Sequence, residues 1–107
     1  MGIFMRILGN VLDMSLDAVR AEISRVDTGI IQLIAERQLL ADKIARIKIA
    51  KGKPIHDQPR TVKVLESVSG QAVELQIDPV AVRKIFEILI AMSEDRQRGF
   101  SGDGNPP

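Results

Sequence analysis

The sequence predicts an all-α fold: three helices per chain, long, short and medium, forming an intertwined homodimer with the long helices paired. Three observations predict it. Between Ser15 and Gly52, aliphatic residues recur at alternating spacings of three and four: Leu16, Val19, Ile23, Val26, Ile30, Leu33, Leu40, Ile44 and Ile47, with Arg37 as the only exception. Ser15, Asp57 with Pro59, and Asp78 with Pro79 read as helix starts, while Gly52, Gly70 and Gly99 read as stops. No alternating apolar-polar run is long enough to make a strand.

The first helix is expected from Ser15, with Asp17 in its first turn, to about Lys51. Gly52 and Pro54 then prevent its continuation, and Lys48, Lys51 and Lys53 complement its C-terminal dipole. Such a helix is roughly 55 Å long at the standard rise. A domain of this chain length has a radius of gyration near ~13 Å, so an apolar seam along the whole helix needs a second chain to cover it. The second helix starts at Asp57–Pro59, reads Val62, Leu65 and Val68, and is expected to stop at Gly70. A connector from Gln71 to Ile77 leads to Asp78–Pro79. The third helix is expected to bury Val82, Ile85, Phe86, Leu89 and Met92 and to close at Gly99.

Composition sets limits on function. The chain has 107 residues, one domain's worth, of which 45% are hydrophobic and 27% charged. A net charge of +1 gives no whole-molecule field for nucleic acid or anionic membrane, so any anion site must be built from a few local cations. Cysteine is absent, which removes disulfides and thiolate chemistry, and the single histidine, His56, cannot form a two-histidine metal motif. Neither a metal nor a cofactor is expected. Residues 1–14 are read as a short extension, because Arg6 interrupts their apolar run and no signal-peptide cleavage site follows. Residues 15–99 are read as the helical domain and residues 100–107 as a disordered tail, in a cytoplasmic protein.

Arg37 is the residue to explain. A cation in an apolar seam needs a partner, since desolvating an isolated charge costs several kcal/mol or more. The partner is either a carboxylate of another chain, such as Glu36 or Glu22 in a register-setting pair, or an anionic ligand. Lys48 lies eleven residues on, about 20° from eclipsed and roughly 16 Å along the same face, so the two long side chains can lean toward one small dianion. Arg20 is roughly 25 Å from Arg37 and about 100° round the helix, and it reaches the same ligand only across an antiparallel dimer. Ser93 and Gln97 sit one turn apart at the edge of the third helix's apolar face. Asp57 and Arg60 flank a helix N-terminus. Taken singly, each of these is an ordinary cap, dipole or surface residue, and His56 reads as a loop residue without a partner.

Together they carry a resemblance. The arrangement Val19-Arg20-x-x-Ile23-x-x-x-Asp27, Glu36-Arg37, Lys48, Pro54-Ile55-x-Asp57-x-x-Arg60 and Phe86-x-x-Leu89-Ile90-x-x-Ser93-x-x-x-Gln97 resembles the all-helical chorismate mutases over about Leu16 to Arg98. The resemblance implies an intertwined homodimer with sites shared between subunits, converting chorismate to prephenate in aromatic amino-acid biosynthesis. It implies that Arg37 and the partner chain's Arg20 hold the substrate carboxylates, and that Lys48 and Gln97 hydrogen-bond the ether oxygen. It further implies that Asp57 serves the ring hydroxyl, Arg60 supports the site and Ser93 binds near a carboxylate. Where many members carry a glutamate after that arginine, this chain has Thr61, which is also compatible with an isochorismate-pyruvate lyase of the same fold. A non-catalytic helical dimerisation module is the third reading.

Overall fold

A computed structural model describes residues 15–101. They form three helices, α1 (Leu16–Lys51), α2 (Gln58–Glu74) and α3 (Pro79–Ser101), with no strand among the described residues. The all-α, long-short-medium reading is therefore correct. The extension read over residues 1–14 and the chain after Ser101 lie outside the described residues. Among those described, no helix is long and apolar enough to cross a membrane.

The capping chemistry acts where the sequence placed it. The Ser15 hydroxyl accepts from the Ala18 amide at 3.1 Å. Asp57 accepts from the Arg60 amide at 3.1 Å and Asp78 from the Val80 amide at 2.9 Å, each satisfying a donor that a helix start leaves open. At the end of α1, Gly52 takes φ 63°, and the Lys53 and Gly52 amides donate back to the Lys48 and Ile49 carbonyls at 2.9 and 3.2 Å. That pattern is a Schellman cap, which turns the chain sharply into the following loop.

Two stops fall elsewhere than expected. Helix α2 passes Gly70 and ends at Glu74, because Leu65, Val68 and Ala72 form one continuous buried stripe that outweighs the roughly 1 kcal/mol cost of a helical glycine. The left-handed residue is Gln76, with φ 58°, and the Ile77 and Gln76 amides donate to the Ala72 and Val73 carbonyls in a second Schellman cap. Helix α3 likewise continues through Gly99 to Ser101. There the ring of Phe100 lies under the Arg46 guanidinium, 5.6 Å from its centroid, giving the last turn a tertiary contact.

The chain divides into two units, Met1–Leu33 and Ile34–Pro107. In the first, the described residues after Ser15 are helical and none is buried; Leu16, Ile23, Val26, Ile30 and Leu33 all expose about half of their surface or more. In the second, the core consists of Ala41, Ala45, Leu65, Val68 and Ala72, with Gln97 as the buried polar residue. Ala41 and Ala45, each 1% exposed, turn a small-residue face of α1 inward, while the seam residues Leu40, Ile44 and Ile47 stay exposed. Ile85 and Met92, expected to be buried, are also exposed within the chain, as is Val62, whereas Val82, Phe86 and Leu89 are half-buried. The periodicity located apolar faces correctly but could not say which of them their own chain covers.

The two kinds of glycine position separate by substitution. Neither Gly52 nor Gly70 has an atom within 4 Å of where a Cβ would stand, so only backbone preference differs. Gly52→Ala is expected to lower stability by about 1 kcal/mol and Gly70→Ala to raise it by about 0.5–1 kcal/mol, read from urea midpoints. Shifts of the same sign in both would contradict the capping assignment.

Candidate active site

The second unit contains a cavity of about 410 Å³ between the C-terminal part of α1, the α1–α2 loop, the start of α2 and the last turns of α3. Arg37, Lys48, Asp57, Arg60, Thr61, Ser93 and Gln97 all line it. Of the predicted site residues only Arg20 does not; it lies on the first unit and is exposed. The apolar wall comes from Leu40, Ala41, Ile44, Ile55, Val64 and Ile90.

A chain of hydrogen bonds crosses the floor. The Lys48 ammonium donates to the Ile55 carbonyl and, at 3.0 Å, to Gln97 Oε1. Because lysine can only donate, the oxygen of the Gln97 amide must face it, which turns Nε2 toward the Ser93 hydroxyl at 3.1 Å. Gln97 is 4% exposed, so its amide orientation is held by packing as well as by these bonds. One Lys48 N–H and one Gln97 N–H remain for a ligand. Asp57 lies on the cavity edge while capping α2, which fixes the loop that delivers it.

Arg37 finds no carboxylate within the described part of its own chain. Its Nη1 donates to the Leu89 carbonyl at 3.0 Å, and no ion pair joins it to a carboxylate among the described residues. Neither Lys48 nor Arg60 has an ion pair there. Burial, and then the like charge of Arg60, hold the Arg37 guanidinium below its ordinary pKa. Both effects describe a cation short of countercharge, although arginine stays protonated regardless. The two acidic residues on the cavity, Asp57 and Glu94, are otherwise engaged: Asp57 as a helix cap and Glu94 with His56 at 2.9 Å. An anion with hydrogen-bond acceptors at two ends fits this arrangement.

A family model described as chorismate mutase type II matches residues 19–98. The chain belongs to the chorismate mutase type II family. It is 34% identical over 82 residues to a chorismate mutase of Methanocaldococcus jannaschii, an overlap of 77% of this chain and 83% of that protein. It is 35% identical over 78 residues to a bifunctional chorismate mutase/prephenate dehydratase of Enterobacter agglomerans, spanning 73% of this chain and 20% of that one. A bifunctional protein of the same description from Buchnera aphidicola subsp. Schizaphis graminum is 31% identical over 90 residues, 80% of this chain and 23% of its own length.

Several features of this chorismate mutase-family site escaped the sequence. His56 is not a lone loop residue: Nδ1 meets Glu94 and Nε2 lies 3.0 Å from Gln58 Oε1. Glu94 was overlooked because its partner is 38 residues away and no helical spacing links them. The Ile55 and Leu89 carbonyls leave no trace in side-chain patterns at all. Outside the cavity, Arg96 grips Asp42 with two bonds of 2.6 and 2.9 Å, tying α3 to α1 and holding the Asp42 carboxyl below its ordinary pKa. Among the described residues, no group of three or more His, Cys, Asp or Glu side chains could hold a metal ion.

Removing the unneutralised charge tests this electrostatic picture directly. Arg37→Met keeps most of the side-chain volume, and is expected to leave the urea midpoint unchanged or raise it by up to ~1 kcal/mol equivalent. A loss of more than ~2 kcal/mol would mean that Arg37 is a structural cation with a stabilising partner.

Proposed function

We propose that the chain is a chorismate mutase, catalysing the Claisen rearrangement of chorismate to prephenate. The observation that carries this reading is the convergence of Arg37, Lys48 and Gln97 on one cavity where the cations lack carboxylate partners. Family membership and the similarity to the Methanocaldococcus jannaschii chorismate mutase support it.

The reaction is unimolecular: one C–O bond breaks as one C–C bond forms, with no nucleophile, proton transfer or redox step. Its barrier falls when the substrate is held in the folded conformer that brings the reacting carbons together. Arg37 holds one carboxylate and Arg20 of the partner subunit holds the other, which fixes the two ends of the substrate. Lys48 and the free Gln97 N–H point donors at the ether oxygen, where negative charge develops as the C–O bond lengthens. Lys48 is already bonded to Ile55 and Gln97, so its head needs little reorganisation on binding. Ser93 orients the Gln97 amide and lies beside a carboxylate, Asp57 serves the ring hydroxyl, and Arg60 adds positive potential.

The exposed apolar surface supports a homodimer. Exposed aliphatic residues run along α1 from Leu16 to Ile47, and Val73, Leu75, Ile77, Val80, Ile85 and Ile88 are exposed as well. Apolar area on this scale, against a core of a few small residues, suits coverage by a second copy whose α1 lies antiparallel. That copy supplies the Arg20 the cavity lacks.

Thr61 favours a second reading specifically. It lines the cavity where many members have a glutamate, so a lyase releasing pyruvate from isochorismate is the alternative. Chorismate consumption with prephenate formation supports the mutase; pyruvate release from isochorismate with inert chorismate replaces it with the lyase.

Lys48→Ala is expected to lower kcat by about 10²-fold or more while leaving the helical circular dichroism intact. Near-normal turnover would remove Lys48 from the mechanism. The shared site has its own test. Arg20→Ala and Lys48→Ala homodimers are each expected to be nearly inactive, while refolding them together restores about one quarter of wild-type sites, since half the dimers are mixed and each has one intact site. No recovery would place both residues in one subunit's site or in none.

A further inference from the structure

The α1–α2 loop brings Ile55 and Asp57 to the cavity, and it is held from two sides. On the inner side Lys48 donates to the Ile55 carbonyl. On the outer side the His56 ring spans two elements. Nδ1 lies 2.9 and 3.2 Å from the two Glu94 carboxylate oxygens on α3, and Nε2 lies 3.0 Å from Gln58 Oε1 at the start of α2. Both ring nitrogens therefore face oxygen acceptors. A neutral imidazole can donate to only one of them; the imidazolium donates to both. Glu94 also lines the cavity next to Ser93, so the bridge runs from the loop to the cavity wall.

We propose that His56 and Glu94 are positioning residues: protonated His56 clasps the α1–α2 loop to α3 and so sets Ile55 and Asp57 against the substrate, making substrate affinity depend on this proton. The proposal rests on the mutase reading and adds to it, because neither residue belongs to the set that binds substrate in that reading. Asp57 is the consequential passenger, since its carboxylate both caps α2 and faces the ring hydroxyl. The Lys48 head also keeps its second bond only while Ile55 stays in place.

The surrounding charges fix the direction of the pH effect. Glu94 faces the ring from α3 and Asp57 from within the loop, while Lys48 of α1 and Lys53 of the loop line the adjoining smaller cavity together with His56. The hydrogen bond that His56 donates to Glu94 dominates, followed by the one it donates to Gln58, and they hold His56 above its ordinary pKa. A raised folded-state pKa means the clasp is fully formed below the ordinary histidine range and is lost as pH rises through the folded value.

His56 is the single histidine of the chain, so its ring resonances need no assignment by mutation. The experiment titrates those resonances and the Ile55, Asp57 and Arg60 amide shifts by NMR, and measures chorismate kinetics over the same pH range. Wild type is expected to show a His56 pKa above that of Glu94→Gln, with the loop amides moving along the same curve. KM is expected to rise roughly two- to fivefold through that transition, with kcat changing less, as suits an exposed ion pair. In His56→Asn and in Glu94→Gln the pH dependence of KM flattens, and the double variant loses no more than either single one. An unshifted His56 pKa that Glu94→Gln leaves alone, or loop amides that ignore the titration, overturns the clasp. So does a KM transition that persists in His56→Asn. Absence of chorismate turnover at every pH overturns the mutase reading instead, and the titration and amide shifts then decide the clasp without it.

Discussion

The structure depends on a half-buried guanidinium that meets no carboxylate among the described residues of its own chain. Arg37 stands in an otherwise aliphatic seam, donates to one backbone carbonyl, and is further destabilised as a cation by Arg60. In a protein selected only for stability, such a position would be filled by leucine, because partial desolvation of an unpaired charge costs more than it returns. The surroundings make sense once the countercharge is taken to be a ligand. Ala41, one turn beyond Arg37, is small enough to leave space in front of it, and Lys48 reaches the other end of that space. The carboxylates that could have collapsed onto these cations are occupied, Asp57 at a helix cap and Glu94 at His56.

The same residues show how a chain with no cysteine and one histidine can host catalysis. A unimolecular rearrangement asks for shape and for donors placed before the charge appears, and both come from packing. Gln97 is buried, its amide is oriented by Lys48 on one side and Ser93 on the other, and the Arg96–Asp42 pair braces α3 against α1 beside it. The loop above this floor is held by a capping aspartate, a lysine and an exposed histidine. The expected division of labour follows: the floor stabilises the transition state, and the loop governs binding.

Legibility in the sequence tracked the range of the interactions. The helices, their caps at Ser15, Asp57 and Asp78, and the Gly52 stop were readable because they depend on neighbours within about one turn. Gly70 was misread for the opposite reason, since burial of Ala72 by other elements overrode a local preference. Arg37 and Lys48 could be placed together because one helix connects them and its geometry is known in advance. Ser93 and Gln97 could be paired with each other but were joined to Lys48 only through family resemblance, as no periodicity relates α3 to α1. His56–Glu94 had neither route. It spans two elements, occupies unspecified positions of the resembling motifs, and becomes visible only when coordinates bring the residues together.

The most direct test of the central claim is calorimetric titration of the protein with an unreactive bicyclic ether dicarboxylate shaped like the rearrangement's transition state. The account predicts saturable binding of one molecule per chain, weakening as salt is added, and lost when Arg37 becomes methionine in a protein that remains folded. Equal affinity for wild type and the methionine variant, or no binding to either, would contradict it.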